Sequence, residues 1–191
     1  FKASETDIYF AASRVLNERM IVGLSLNYLF SSLDQYSSNA LSFNGGISYT
    51  NPEKKYGLSL LFKNAGFQLS PYTNTKEPLP FEIQLAYAKR LKHLPLIYHI
   101  GFRNLERWNV RYDDPELQND GALFGDVKSK SQFEKSLDQF LRHFVLGAEI
   151  VMGKKENFSI RLGYNHLRNR ELSFADYRSF AGLSFGFVLK I

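Results

Sequence analysis

Apolar and polar residues alternate with a period of two along nine stretches of this chain. In Met20–Phe30 the residues Met20, Val22, Leu24, Leu26, Tyr28 and Phe30 share one side, opposite Gly23, Ser25 and Asn27. In 41–50, Leu41, Phe43, Ile47 and Tyr49 oppose Ser42, Asn44, Gly46 and Ser48. Successive side chains leave opposite faces of a pleated strand, so this period predicts β structure. The predicted strands cover 5–16, 20–31, 40–50, 56–63, 80–91, 95–105, 140–152, 157–167 and 179–191. Connections near 17–19, 51–55, 92–94 and 153–157 are tight, whereas those over 31–38, 64–79, 104–139 and 168–178 are long. Long antiparallel strands with short turns at one rim and long loops at the other predict an all-β, up-and-down transmembrane β-barrel.

The rows expected to face lipid are consistent from strand to strand. They include Leu24 and Leu60; Phe81, Ile83, Leu85 and Tyr87; Leu96, Tyr98, Ile100 and Phe102; Phe140, Phe144, Leu146, Ala148 and Ile150; and Phe158, Ile160, Leu162 and Tyr164. Aromatics recur near the row ends. Tyr49 and Tyr56 flank a tight turn, and Phe62 and Phe81 flank a long loop, as interfacial girdles require. A soluble β-sandwich alternates in the same way, but its strands average nearer five or six residues and lack this asymmetry between rims.

Composition agrees with a barrel rather than with membrane helices. Apolar residues make up 44% of 191 residues, with 17 Phe and 11 Tyr, while mean hydropathy is only −0.28. No run approaches the ~18 apolar residues of a membrane helix, and a barrel strand needs apolar residues at only every second position. There is no cysteine, which excludes disulfides and thiolate metal sites. The net charge of +5 is spread over turns, loops and polar faces, not gathered into a nucleic-acid-binding patch. Residues 1–8 (FKASETDI) carry no export signal. An odd count of nine strands cannot close an ordinary bacterial barrel, and 185–191 still alternates at the last residue. The expectation is one outer-membrane barrel region over 1–191, lacking N-terminal strands and the signal peptide.

Candidate chemistry is sparse. The inward rows carry Lys63, Arg103 and Arg161 against Asp7, Glu82 and Glu149, with Asn27, Asn44, Gln84, His99, His143 and Asn165 among them. These polar residues line either a channel or a self-neutralising lumen, and the balanced signs favour the second, since selective pores present rings of one sign. The four histidines form no HExxH motif and no short metal-ligand spacing. A Ser-His hydrolase would need partners on neighbouring strands, and no motif announces them. Gly45-Gly46 and the 182–186 segment open no helix and are not phosphate loops. No catalytic residue, cofactor or metal is assigned, and the expectation is a non-enzymatic protein.

The long extracellular loop expected over 104–139 is the most distinctive connection, since loops beyond ~12–15 residues are usually functional or disordered. Its first part, WNVRYDDP at 108–115, is aromatic and acidic. Asp113 and Asp114 fall short of a calcium loop, and Asp before Pro is ordinary turn chemistry. Arg107, Trp108, Arg111, Tyr112, Asp113 and Asp114 are candidate partner contacts, with aromatic anchors framed by a charged rim. In 128–139, Phe133 and Leu137 are spaced for one short amphipathic helix.

Seven strings bear on identity: KNAGFQL (63–69), EPLPFEIQL (77–85), KRLKHLP (89–95), RYDDP (111–115), GYNH (163–166), REL (170–172) and GLSFGF (182–187). In order and spacing they resemble the PorQ family, an outer-membrane component of the type IX secretion system of Bacteroidota. That family is similar to PorV and, more distantly, to FadL-type barrels. The resemblance implies about fourteen strands, an even number within the range of such barrels. It implies residence in the outer membrane, contact with its lipids, and a scaffold role in protein transport beside PorV, PorU and PorZ. No nucleic-acid partner is implied, and the family offers no catalytic motif to carry over. The alternative is a FadL-like transporter or porin for small hydrophobic molecules.

Overall fold

The computed structural model describes residues 2–110, 132–153, 155–172 and 180–190. The chain runs through β1 (Ala3–Asn17), β2 (Met20–Leu33), β3 (Tyr36–Asn51), β4 (Tyr56–Ser70), β5 (Glu82–Arg90) and β6 (Leu96–Phe102). Helix α1 (Gln132–Leu141) precedes β7 (Phe144–Met152) and β8 (Phe158–Asn165), and α2 (His166–Glu171) precedes β9 (Leu183–Leu189). All nine strands form one antiparallel sheet in sequence order, β1 and β9 lying at its edges. The sheet is not closed. A two-layer sandwich is not formed, and among the described residues Ala40 is the only buried apolar residue.

Register gives each face a distinct character. The cross-strand series Met20, Tyr49, Leu58, Tyr87, Ile100, Leu146, Tyr164 and Leu183 crosses β2 to β9 without a polar interruption. On the other face the series Thr50, Gly57, Ala88, His99, Gly147, Gly163 and Ser184 is small or polar throughout. Leu24, Leu60, Ile83, Ile100, Leu146 and Leu162 fall on the first face, and Asn27, Gln84, Glu149 and Arg161 on the second, as the alternation predicts. A cavity of about 450 Å³ on the second face is lined from Ser48 of β3 to Gly163 of β8. In a flat sheet those strands would be ~24 Å apart at ~4.8 Å per strand, so the sheet curves toward its small-residue face. The face is tightly packed at Gly147, where a Cβ would come within 3.3 Å of the His99 side chain.

A bulge holds β4 in phase. Between the pairs Gly45–Phe62 and Phe43–Ala65, β4 advances one residue more than β3. Asn64 takes a left-handed conformation (φ 55°) there, its N–H donating to Asn44 Oδ1 at 2.8 Å. The extra residue resets the alternation, so Phe67 pairs with Leu41 on the apolar face. Without it Phe67 would face the polar side.

Several boundaries differ from the expected ones. The long connection expected over 31–38 is a two-residue turn, Asp34–Gln35, and the ladder continues through Ser31–Ser38 and Ser32–Ser37. Asp34 accepts a positive φ of 56°, as Asp does in tight turns. Strand β4 likewise runs on to Ser70, so Phe62 sits inside the strand rather than beside a loop. Conversely, β5 to β9 are shorter than expected, with 7 to 9 residues each. Their hydrogen bonding does run slightly further, through Val151 N to Pro95 O and Arg103 N to His143 O. Phe140 belongs to α1 and not to a strand, and residues 166–167, expected to end a strand, open α2. The helix expected within 128–139 is α1, displaced toward the C-terminus.

Candidate functional site

The rim with the short turns carries an aromatic row and more cations than carboxylates. Tyr49, Tyr56, Tyr87 and Tyr98 stand side by side on the apolar face, ring centroids 6.1, 6.1 and 5.9 Å apart. The alternation placed each tyrosine on this face but not in one file, because their proximity depends on register across four strands. The turns and strand ends here supply Arg19, Lys54, Lys55, Lys89, Arg90, Lys92, Lys155 and Lys190, eight cations against the three carboxylates of Glu18, Glu53 and Glu156. Arg19 pairs with Glu53 at 3.2 Å and Arg90 with Glu156 at 2.8 Å. Beside the Arg90 hydrogen bond, the charges of Lys190 and Lys55 also hold the exposed Glu156 carboxyl below its ordinary value.

The polar face holds two separate ion pairs rather than one continuous lining. Glu82, buried, accepts from Arg103 Nε at 2.7 Å and Nη2 at 3.1 Å, and Lys63 is its register partner on β4. This group lies at the long-loop end. Toward the short-turn end, Glu149 accepts from Ser159 Oγ at 2.7 Å and pairs with Arg161 at 3.2 Å. Glu82 and Glu149 are thus each matched by an adjacent arginine.

At the long-loop rim, residues before and after the loop are fastened together. Trp108 stacks on His143 (centroids 5.1 Å, planes 22° apart) and reaches Phe140 at 6.2 Å. Phe140 packs against Phe144 at 4.8 Å, and Phe144 against Phe102 at 4.3 Å, continuing the apolar face upward. The Trp108 carbonyl accepts from Gln139 Nε2 at 2.9 Å and lies 3.1 Å from His143 Nε2. Trp108 is nevertheless 63% exposed, and the exposed Arg107 pairs with Glu106 at 3.8 Å. Arg111, Tyr112, Asp113 and Asp114 lie outside the described residues.

The strongest side-chain cluster at this rim escaped the sequence reading. Asp138 of α1 meets Arg142 at 2.8 Å, Arg170 at 2.9 Å and His166 Nε2 at 3.1 Å, while His166 Nδ1 lies 3.0 Å from the Tyr164 hydroxyl. The Asp138–Arg142 spacing of four is legible in a helix, but the contacts with α2 span 28 residues or more and are not. An Asp-His-hydroxyl chain resembles a proton relay. Here two arginines neutralise the carboxylate and the terminal group is an unactivated phenol, so the arrangement clasps α1 to α2. Burial pushes the Asp138 carboxyl up, yet the hydrogen bonds from Arg142 and His166 and the nearby arginine charges outweigh it and hold it below its ordinary value. Because the folded value is depressed, the clasp contributes fully above the ordinary carboxylate range and is lost as pH falls through the folded value. Asp138→Asn removes the charge at any pH. At neutral pH it should raise amide exchange in α1 and α2 about ten- to hundredfold, from the ~1.5–3 kcal/mol of charged hydrogen bonds. Exchange in the variant and the wild type should converge on acidification, and equal exchange at neutral pH would refute the clasp.

Among the described residues no group of three or more His, Cys, Asp or Glu could hold a metal ion. No helix there is long and apolar enough to cross a membrane, which says nothing of strands. Compared with family models, with curated proteins and with solved structures, the chain matches none.

Proposed function

We propose that this chain forms part of an outer-membrane β-barrel that acts, without catalysis, as a scaffold of the type IX secretion system. The observation carrying the membrane reading is the uncovered apolar face. Leu24, Phe185 and Phe187 are each at least 70% exposed, and a contiguous surface of that kind requires a cover. Lipid fits it, because the face is bounded by tyrosines at one rim and by Phe102, Phe144 and Trp108 at the other, the places where rings favour a headgroup region. The opposite, concave face carries the small residues and paired charges suited to a lumen. The free edges of β1 and β9 fit closure by further strands.

The scaffold role rests on the string resemblance and on the build of the long-loop rim, where α1 and α2 are clasped into a platform with Trp108 and Arg107 exposed beside it. The partners implied are PorV, PorU and PorZ at the cell surface. The cavity on the concave face supports a second reading, passage of a small molecule through the barrel. Tagged full-length protein purified from its native outer membrane should carry those partners with it. Deleting residues 112–130, which spares α1 and Asp138, together with Trp108→Ala, should leave the barrel assembled, release the partner and stop cargo anchoring. Unchanged retention and anchoring with altered small-molecule flux would favour the transporter.

A further inference from the structure

Across β1 to β9 the apolar face bears two charged residues, Arg14 and Lys89. Both are cations, and both lie at the short-turn end. Arg14 pairs with Val22 near the β1–β2 turn, and Lys89 stands between Tyr56 of β4 and Tyr98 of β6. Among the described residues no carboxylate lies within ion-pair distance of either. A long cationic side chain on an apolar surface extends its head toward the interface. Here the Lys89 head would emerge among the tyrosine hydroxyls, beneath a rim whose turns carry more cations than carboxylates.

We propose that this tyrosine–lysine rim binds the phosphate of an anionic glycerophospholipid, the Lys89 ammonium and the Tyr56 and Tyr98 hydroxyls donating to its oxygens. The proposal rests on the reading of the apolar face as lipid-facing. It commits to a lipid rather than to an acidic protein for a structural reason. Lys89 and Arg14 sit on the membrane face of their strands, where acyl chains can pack below the phosphate against Leu58 and Ile100. An acidic protein would be met instead by the turns above. Charge complementarity sets the headgroup: the excess of positive charge suits a phosphoglycerol, whose one charge is its phosphate, and opposes the cationic end of a choline group.

The test uses full-length protein extracted from its outer membrane and examined by native mass spectrometry in micelles doped with phosphatidylglycerol or with phosphatidylcholine of the same chains. Wild type should retain phosphatidylglycerol preferentially. Lys89→Gln should lower that retention about fivefold, the effect of one basic residue at an anionic surface, without changing phosphatidylcholine retention. Lys76→Gln, at the other rim, should change neither, and heat-modifiable mobility shows that each variant is assembled. Equal retention of both lipids by wild type overturns the proposal, as does displacement of phosphatidylglycerol by millimolar inorganic phosphate. An acidic protein held through Lys89 without lipid selectivity overturns it as well. Retention of neither lipid, with no insertion into vesicles, would instead overturn the membrane reading itself.

Discussion

Ile100→Arg should largely abolish assembly of the full-length protein in the outer membrane, whereas Ser59→Arg should leave it assembled. Ile100 lies in the middle of β6, in register with Tyr87 and Leu146 and midway between Tyr98 of one aromatic rim and Phe102 of the other. An arginine on the lipid face at mid-depth costs ~2–4 kcal/mol, and the cost falls toward the interfaces. That corresponds to a loss of about thirty- to a thousandfold in the ratio of assembled to unassembled protein. Leu60→Arg, in the neighbouring row between Ile47 and Leu85, should behave alike. Ser59 points the other way, its hydroxyl 2.9 Å from that of Ser48 beside the concave cavity, where a guanidinium can be hydrated. Heat-modifiable gel mobility of outer-membrane fractions measures the outcome. Equal assembly of the two sets of variants would remove the case for lipid on this face.

Gly66→Ala should be the most damaging single methyl group added to the chain. A Cβ at Gly66 would meet the backbone of β3, overlapping the Leu41 carbonyl oxygen and lying 2.7 Å from Ser42 Cα. Flexible side chains can move aside, but a hydrogen-bonded strand cannot. The pairing of Leu41 with Phe67 and of Ala40 with Gln68 therefore has to open. Overpacking ordinarily costs ~1–3 kcal/mol, and a clash with backbone belongs at the upper end or above it. Gly186→Ala is the matched control, since nothing lies within 4 Å of a Cβ there. Urea midpoints in detergent should fall clearly for the first variant and stay unchanged for the second. A common midpoint would mean that β3 and β4 are not in this register.

Read alone, the sequence determined the number of strands, their antiparallel order and the residues on each face. A side chain's face follows from parity, and parity survives errors of several residues at a strand's ends. It did not determine where strands stop. Beyond the apolar rows both faces of the β2–β3 ladder carry serine, so 31–38 shows no alternation even though its backbone stays paired. Near 140–143 and 166–167 the same apolar and polar residues serve a helix end or a cap, Asn165 Oδ1 accepting from Arg168 N at 3.1 Å. The bulge at Asn64, the file of four tyrosines and the Asp138 clasp were decided only by the tertiary structure. Each joins residues from different strands or helices, and a contact across the sheet depends on register, which accumulates turn by turn and is written in no single segment.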